Sequence, residues 1–197
     1  LLFLLLAVVL LTTIVIGAQE EQPKMFIPIG AGYSDTYDGF IEHVLARAES
    51  DTINILVLAS TYATNSSEID EAERAQNTED AETRRLEIEE ACIALAEGKT
   101  CNVALAPIFT RAEALAPEAL DFFGQDLDAI FILGGDQVIA MEVLAGTPVE
   151  DALMQAYDNG ALIAGTSAGN AVQSRAMIGG YVGDFGPETG LNQESVD

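Results

Sequence analysis

Short, continuous apolar runs recur along the chain and alternate with longer segments of mixed polarity. Apolar runs that do not alternate with polar residues are typical of parallel strands covered on both faces. The pattern predicts five strands, at Met25–Ile29, Ile53–Ala59, Cys101–Ile108, Asp128–Leu133 and Ala161–Ala164.

The segments between these runs carry helical periodicity. The predicted helices are Tyr37–Glu49, Glu68–Glu97, Val138–Leu144 and Pro148–Asn159, with shorter helical pieces between Arg111 and Phe123 that break at Pro117. In the long charged helix, the apolar line is expected to consist of Leu86, Ile88, Ile93 and Leu95. Regular alternation of strands and helices predicts an α/β fold, with an open, mainly parallel sheet and helices on both faces.

The first sixteen residues are almost wholly apolar, and small and then polar residues follow them from Gly17 to Glu21. This order is typical of a secretory signal peptide and its cleavage site, with an uncleaved N-terminal anchor as the alternative. We therefore expect residues 1–18 to be a signal peptide or anchor and residues 19–197 to form a single α/β domain truncated at its C-terminus. The protein would be secreted, periplasmic or extracellular, and would touch a membrane only through an uncleaved N-terminal segment.

Composition excludes several classes of function. With 8 Lys and Arg against 32 Asp and Glu, the net charge is −24, so no basic patch is available for nucleic acid. One histidine and two cysteines without metal-ligand spacing argue against a zinc site. Cys92 and Cys101 suit either a disulfide in an oxidising compartment or two separate buried thiols.

The most informative motif follows the fifth predicted strand. Residues 165–169 read Gly-Thr-Ser-Ala-Gly, and a run of small residues compatible with a helix comes next. A Gly-x-Ser-x-Gly sequence between a strand and a helix is typical of a nucleophile elbow, in which a strained turn exposes the serine. The sequence therefore predicts Ser167 as a nucleophile, with the N-terminus of the following helix favouring negative charge on a substrate oxygen.

A second motif follows the fourth predicted strand, where Gly134-Gly135-Asp136-Gln137 begins. A glycine pair at the end of a strand lets backbone N–H groups approach a ligand closely. Because ligands bind at the carboxyl ends of parallel strands, this turn and the Ser167 turn are expected to face one crevice. The alternative interpretation is a plain glycine-rich turn in which Asp136 is a helix N-cap.

The two motifs together, Phe-Ile-Leu-Gly-Gly-Asp-Gln and Gly-Thr-Ser-Ala-Gly-Asn-Ala, resemble those of the cyanophycinases and the related aspartyl dipeptidases. The resemblance implies a sheet like that of class I glutamine amidotransferases. It also implies that Ser167 is the nucleophile, that the N–H groups of Gly135 and Ala168 form the oxyanion hole, and that Gln137, beside Asp136, lines the substrate pocket. No metal or cofactor is implied.

A serine nucleophile needs a general base, and no histidine follows Ser167. His43 lies in a predicted helix without a motif around it and is expected to be a surface residue. The resemblance implies that the histidine, its acidic partner and an arginine-rich segment lie beyond Asp197. We therefore expect residues 19–197 alone to be inactive or nearly so.

The resulting hypothesis is an exported serine exopeptidase that hydrolyses cyanophycin to β-aspartyl-arginine. An aspartyl dipeptidase acting on other small peptides is the alternative within the same class. Two alternatives belong to other classes. One is an esterase of the α/β-hydrolase type, whose oxyanion loop comes from an early strand, and the other is a non-catalytic binding protein. The resemblance also allows for a homodimer.

Overall fold

A computed structural model describes residues 23–31, 34–124 and 126–179. The described residues form an open sheet of five strands: β1 (Phe26–Ile29), β2 (Thr52–Leu58), β3 (Thr100–Ala106), β4 (Ala129–Ile132) and β5 (Leu162–Thr166). All neighbouring strands are parallel, in the order β1-β5-β4-β2-β3. The prediction of an open parallel sheet is thereby confirmed.

Two strand ends differ from the prediction by two residues. The strand β3 ends at Ala106 rather than Ile108, and β5 continues to Thr166 rather than ending at Ala164. Its last two residues pair with neighbours on both sides: Thr166 lies opposite Ile29 of β1, and Gly165 lies opposite Ile132 of β4. Because these partners come from distant parts of the chain, local apolarity could not reveal the longer strand.

Six α-helices and one 3₁₀ helix connect the strands within the described residues. They are α1 (Ser34–Leu45), α2 (Glu71–Leu95), α3 (Arg111–Leu115), the 3₁₀ helix Pro117–Phe122, α4 (Gln137–Leu144), α5 (Pro148–Asp158) and α6 (Ala168–Ala171). The break at Pro117 occurs as predicted, because proline opens the 3₁₀ helix there.

Helices cover both faces of the sheet, and the strands supply an apolar layer to each. Along β2, Ile55 and Val57 belong to the core layer that contains buried residues of α1 and α2. The intervening Leu56 and Leu58 belong to the opposite layer, with buried residues of α3, α4 and α5. Alternate burial on two covered faces explains why β2 reads as a continuous apolar run.

The predicted apolar line of α2 was right at Ile88, which is in the core, and at Leu95, which packs against it, but wrong at Leu86 and Ile93. Leu86 and Ile93 are 49 % and 67 % exposed, whereas Ile88 is fully buried. The buried positions of α2 are Ala81, Ile88, Ala91 and Cys92. Small residues thus contribute most of this packing face. A prediction based on the large apolar side chains therefore located the face only in part.

The structure decides between the two interpretations of the cysteines. Cys92, in the last turn of α2, forms a disulfide with Cys101 of β3, and their Cα atoms are 6.1 Å apart. The disulfide joins the end of the long helix to an edge strand of the sheet.

No helix among the described residues is both long enough and apolar enough to cross a membrane. The predicted signal peptide or anchor at residues 1–18 lies outside the part of the chain that the structure describes, and so it stays a prediction.

Candidate active site

Ser167 lies in the one-residue turn between β5 and α6. Its φ of 48° and ψ of −115° place it in a conformation that non-glycine residues rarely adopt. The N–H of Ser167 donates to the carbonyl oxygen of Ile29 at 2.9 Å, which ties the turn to β1. While its neighbours Thr166 and Ala168 are buried, Ser167 is exposed at the carboxyl end of the sheet.

The glycines on either side of the serine are needed for close packing. A Cβ added to Gly165 would lie 2.5 Å from the carbonyl carbon of Gly169 and 2.6 Å from Nε2 of Gln173. A Cβ added to Gly169 would lie 2.6 Å from the carbonyl oxygen of Leu133 and nearer still to that of Ile132. The Gly-x-Ser-x-Gly spacing therefore lets α6 lie directly against the ends of β4 and β5.

The direction in which the chain adds strands to the sheet reverses between β2 and β4. From β2 the chain moves outward through α2 to β3, and it then returns to β4 on the other side of β2. The connections that leave β2 and β4 consequently run to opposite faces of the sheet, which opens a crevice between their carboxyl ends. Gly134 stands at this crevice beside Ser167, because a Cβ on Gly134 would be 3.3 Å from the serine Cβ.

Asp136 has two structural hydrogen-bonding roles. Its side chain accepts from the N–H groups of Val138 and Ile139, at 2.7 and 3.1 Å, and so caps the N-terminus of α4. Its own N–H donates to the carbonyl oxygen of Thr61 at 2.8 Å. The interpretation of Asp136 as a helix N-cap is thereby confirmed, and its direct contact with substrate stays a prediction.

Two backbone N–H groups near the serine are available to a ligand. Those of Gly135 and Ala168 donate no hydrogen bond to any residue within the described ranges. Gly135 follows the glycine that contacts Ser167, and Ala168 begins α6. These are the two donors that the resemblance to the cyanophycinases implies for an oxyanion hole.

Gln137, the first residue of α4, is partly buried, and its Nε2 donates to the carbonyl oxygen of Ile178 at 3.0 Å. The side chain therefore links α4 to the segment that follows α6. Its Oε1 remains available as an acceptor within the described contacts.

A pocket of about 740 Å³ opens beside Gly135. One wall is the loop after β2, another is one side of α2, and the third is the start of α4. Its lining consists of residues 61–64, Asn77, Asp80, Thr83, Arg84, Gly135, Asp136 and Ile139. Sequence reasoning missed the contribution of α2, because polar residues on a charged helix look the same whether they face solvent or a pocket.

The cationic residue of this pocket is already engaged. The guanidinium of Arg84 donates to both carboxylate oxygens of Glu87, at 3.0 and 2.8 Å, and this hydrogen bonding raises the pKa of Arg84. Burial raises the pKa of the Tyr37 and Tyr62 hydroxyls, while the positive charge of Arg84 opposes that rise. Asp80, by contrast, accepts from Gln76 alone within the described side chains, at 3.0 Å.

His43 lies away from this site. It is exposed in the last turn of α1. Because α1 starts beyond the carboxyl end of β1 and runs back along the sheet, His43 lies near the amino ends of the strands. Ser167 lies at their carboxyl ends. Among the described residues there is also no group of three or more His, Cys, Asp or Glu side chains that could hold a metal ion.

Comparison with known proteins gives two results. Residues 110–188 match the model of peptidase family S51, a range that includes β4, the Gly134–Gln137 turn and Ser167. The fold is similar to that of a peptidase from an acI-B1 Actinobacterium, with a TM-score of 0.51 and 18 % sequence identity over 76 % of this chain. The chain spans 56 % of the length of that peptidase.

At this level of identity the structural likeness concerns the fold, while the family match includes both motifs at the crevice. Residues 110–188 are therefore similar to peptidase family S51.

Proposed function

We propose that this chain supplies the nucleophile and the oxyanion hole of a serine exopeptidase. The observation that carries the proposal is the arrangement around Ser167, which is exposed on a strained turn beside Gly134. The N–H groups of Gly135 and Ala168 donate no hydrogen bond to any described residue. Strain at a non-glycine residue is found where a side chain must be presented in one direction. A purely structural turn would have no need of an exposed serine beside two free donors.

In the proposed reaction, the Ser167 hydroxyl attacks the carbonyl carbon of the scissile peptide bond and gives its proton to a general base. The N–H groups of Gly135 and Ala168 donate to the oxygen that becomes negatively charged. When the tetrahedral intermediate breaks down, the base returns the proton to the leaving amine, and an ester on Ser167 remains. Water then hydrolyses this ester by the same route, which regenerates the serine hydroxyl.

The general base of this scheme comes from outside the described residues, because His43 lies near the amino ends of the strands, far from Ser167. We expect a histidine and an acidic partner in the rest of the protein. The activity proposed is therefore that of the complete enzyme.

The charge of the pocket beside Gly135 supports cyanophycin as the substrate. Arg84 is paired with Glu87, so the carboxylate that remains for a ligand is that of Asp80. A carboxylate there suits the guanidinium of an arginine side chain, which every residue of cyanophycin carries. The product would be β-aspartyl-arginine.

A second candidate substrate, a small aspartyl peptide, is favoured by Asn77. The Nδ2 of Asn77 is buried and has no hydrogen-bond partner within the described residues. A donor in this position suits an aspartyl carboxylate or a peptide carbonyl.

The first experiment compares Ser167→Ala with Ser50→Ala in the complete enzyme. Ser50 precedes β2 at the far end of the sheet, where its Oγ accepts from the N–H of Thr52. We expect Ser167→Ala to reduce kcat for cyanophycin by at least about 10⁴-fold, because no nucleophile remains, and Ser50→Ala to keep wild-type kcat. Hydrolysis by Ser167→Ala at the wild-type rate would remove Ser167 from the reaction.

The same preparation decides between the alternatives. Faster cleavage of cyanophycin than of aspartyl dipeptides, together with a raised KM for cyanophycin in Asp80→Asn, would support the arginine site. Preference for aspartyl dipeptides, with a raised KM in Asn77→Ala, would support the dipeptidase. Binding of either substrate without hydrolysis by the wild-type protein would favour a binding protein, and hydrolysis of simple esters alone would favour an esterase.

We also propose that the protein is exported. The Cys92–Cys101 disulfide supports this, because such bonds persist in oxidising compartments. Detection of the mature protein outside the cytoplasm, starting near residue 19, would test both the export and the predicted signal peptide. A homodimer is a further proposal, to be tested by sedimentation of the complete enzyme.

A further inference from the structure

A threonine in the loop after the neighbouring strand lies against the proposed oxyanion hole. Thr61 follows β2, is 1 % exposed, and faces the Gly134–Gly135 peptide across the crevice. Its Oγ1 lies 3.0 Å from the carbonyl oxygen of Leu133 and 3.0 Å from that of Gly134. Its own carbonyl oxygen accepts the N–H of Asp136. Thr61 therefore contacts three successive peptide groups at the end of β4.

The hydrogen bond to Gly134 sets the direction of the next N–H. The described chain has no cis peptide bond, and in a trans peptide the C=O and N–H groups point in opposite directions. Because the Gly134 carbonyl points toward Thr61, the Gly135 N–H points away from Thr61. The Ser167 turn lies next to the same peptide, since a Cβ on Gly134 would be 3.3 Å from the Ser167 Cβ.

This contact matters because a Gly-Gly peptide rotates easily. Neither residue has a Cβ to restrict its backbone, so the peptide can rotate until the Gly134 carbonyl, rather than the Gly135 N–H, faces the serine. Space next to Thr61 is too small for a side chain, because a Cβ on Gly135 would be 2.9 Å from the Thr61 carbonyl carbon and nearer still to its oxygen. Glycine is thus required here, and the restraint on rotation must come from a neighbour.

We propose that Thr61 is a positioning residue for the oxyanion hole, and that its hydroxyl holds the Gly134–Gly135 peptide with the Gly135 N–H toward the substrate. The proposal rests on the proposed function of Ser167. Thr61 does not itself touch the reacting atoms. Its hydroxyl has one hydrogen, which is shared between two carbonyl oxygens, so one substitution releases both.

The test replaces Thr61 with valine, which has the same shape without the hydroxyl, and with serine, which keeps the hydroxyl. In the complete enzyme we expect Thr61→Val to lower kcat by roughly 10- to 100-fold, less than full loss of an oxyanion donor, with KM changed less than about twofold. Thr61→Ser should keep kcat within about threefold of wild type. Thr147→Val is the matched control, since Thr147 is also 1 % exposed and donates to the carbonyl of Leu144, yet it caps α5.

A crystal structure of Thr61→Val supplies a readout that does not depend on catalysis. We expect the Gly134–Gly135 peptide to be rotated or to occupy two orientations. An unchanged peptide would overturn the proposal, as would a rotated peptide with wild-type kcat, or a Thr61→Ser variant as slow as Thr61→Val. If Thr61→Val does not fold, Thr61→Ala removes the same hydroxyl and is judged by the same outcomes.

The two proposals can fail separately. If Ser167→Ala keeps its activity, the proposed function fails, while the crystal structure of Thr61→Val still decides whether the hydroxyl holds the peptide. If only Ser167→Ala is inactive and Thr61→Val behaves like the wild-type enzyme, the peptidase stands and the role of Thr61 is refuted.

Discussion

Gly169 offers a direct test of how packing presents the serine. In wild-type protein, α6 lies so close to β4 that residue 169 has room only for hydrogen. In Gly169→Ala, the new methyl group would be 2.6 Å from the carbonyl oxygen of Leu133, and ordinary contact begins at 3.4 Å. The helix must therefore move by at least about 0.8 Å, which is the difference between these distances.

Two effects of this movement have different magnitudes. Overpacking of this kind costs about 1–3 kcal/mol of unfolding free energy. Because Ser167 and Ala168 precede Gly169 directly, the proposed nucleophile and one of the proposed oxyanion donors move with the helix. A displacement of about 1 Å at reacting groups lowers the rate by about 100-fold, so we expect kcat to fall by that order.

The assay combines urea unfolding, followed by circular dichroism, with hydrolysis of cyanophycin by the complete enzyme. Gly39→Ala is the matched control, because Gly39 lies in α1 and a Cβ there would meet nothing within 4 Å. We expect Gly39→Ala to raise the unfolding free energy by about 0.5–1 kcal/mol, through the better helix propensity of alanine, and to leave kcat unchanged. If Gly169→Ala matched Gly39→Ala in both measurements, the close packing of α6 on β4 would be refuted.

The remaining predictions concern stability. Replacing both Cys92 and Cys101 with alanine should lower the unfolding free energy by about 2.7 kcal/mol, which is the loop-closure value for about ten residues. Reductant should lower the unfolding free energy of the wild-type protein by the same amount and leave that of the double variant unchanged. Equal wild-type stability with and without reductant would contradict this. Burial alone would raise the pKa of Glu113, but the N–H groups of Phe109 and Thr110 and the guanidinium of Arg74 outweigh burial and lower it. Glu113→Gln should therefore cost about 1 kcal/mol in urea unfolding at pH 7. Since the folded-state pKa is depressed, this contribution is fully present above the unfolded value of about 4.3 and disappears as pH falls through the lower folded value. A stability difference between Glu113→Gln and wild type that did not shrink at low pH would show that the charge of Glu113 is not its source.

Patterns local in sequence determined the class of fold and the choice of Ser167 as the proposed nucleophile. Continuous apolar runs between helical segments were enough to predict a parallel sheet covered on both faces. Burial on two sides removes the alternation of apolar and polar residues that a half-exposed strand shows. The Gly-x-Ser-x-Gly spacing pointed to Ser167, because the constraint on Gly165 acts within the turn itself, where a Cβ would meet Gly169. The capping of α4 by Asp136 is equally local, since the N–H groups that donate to its side chain are two and three residues away.

Only the tertiary structure decided what depends on contacts between distant segments. The length of β5 depends on pairing with β1 and β4, and the packing face of α2 depends on small side chains that fit the sheet. The disulfide required Cys92 and Cys101 to meet across the end of a helix. Thr61 is 73 residues from Gly134, and no spacing rule connects them. The order of the strands brings the ends of β2 and β4 together, and that juxtaposition creates both the pocket and the contact that orients the Gly135 N–H.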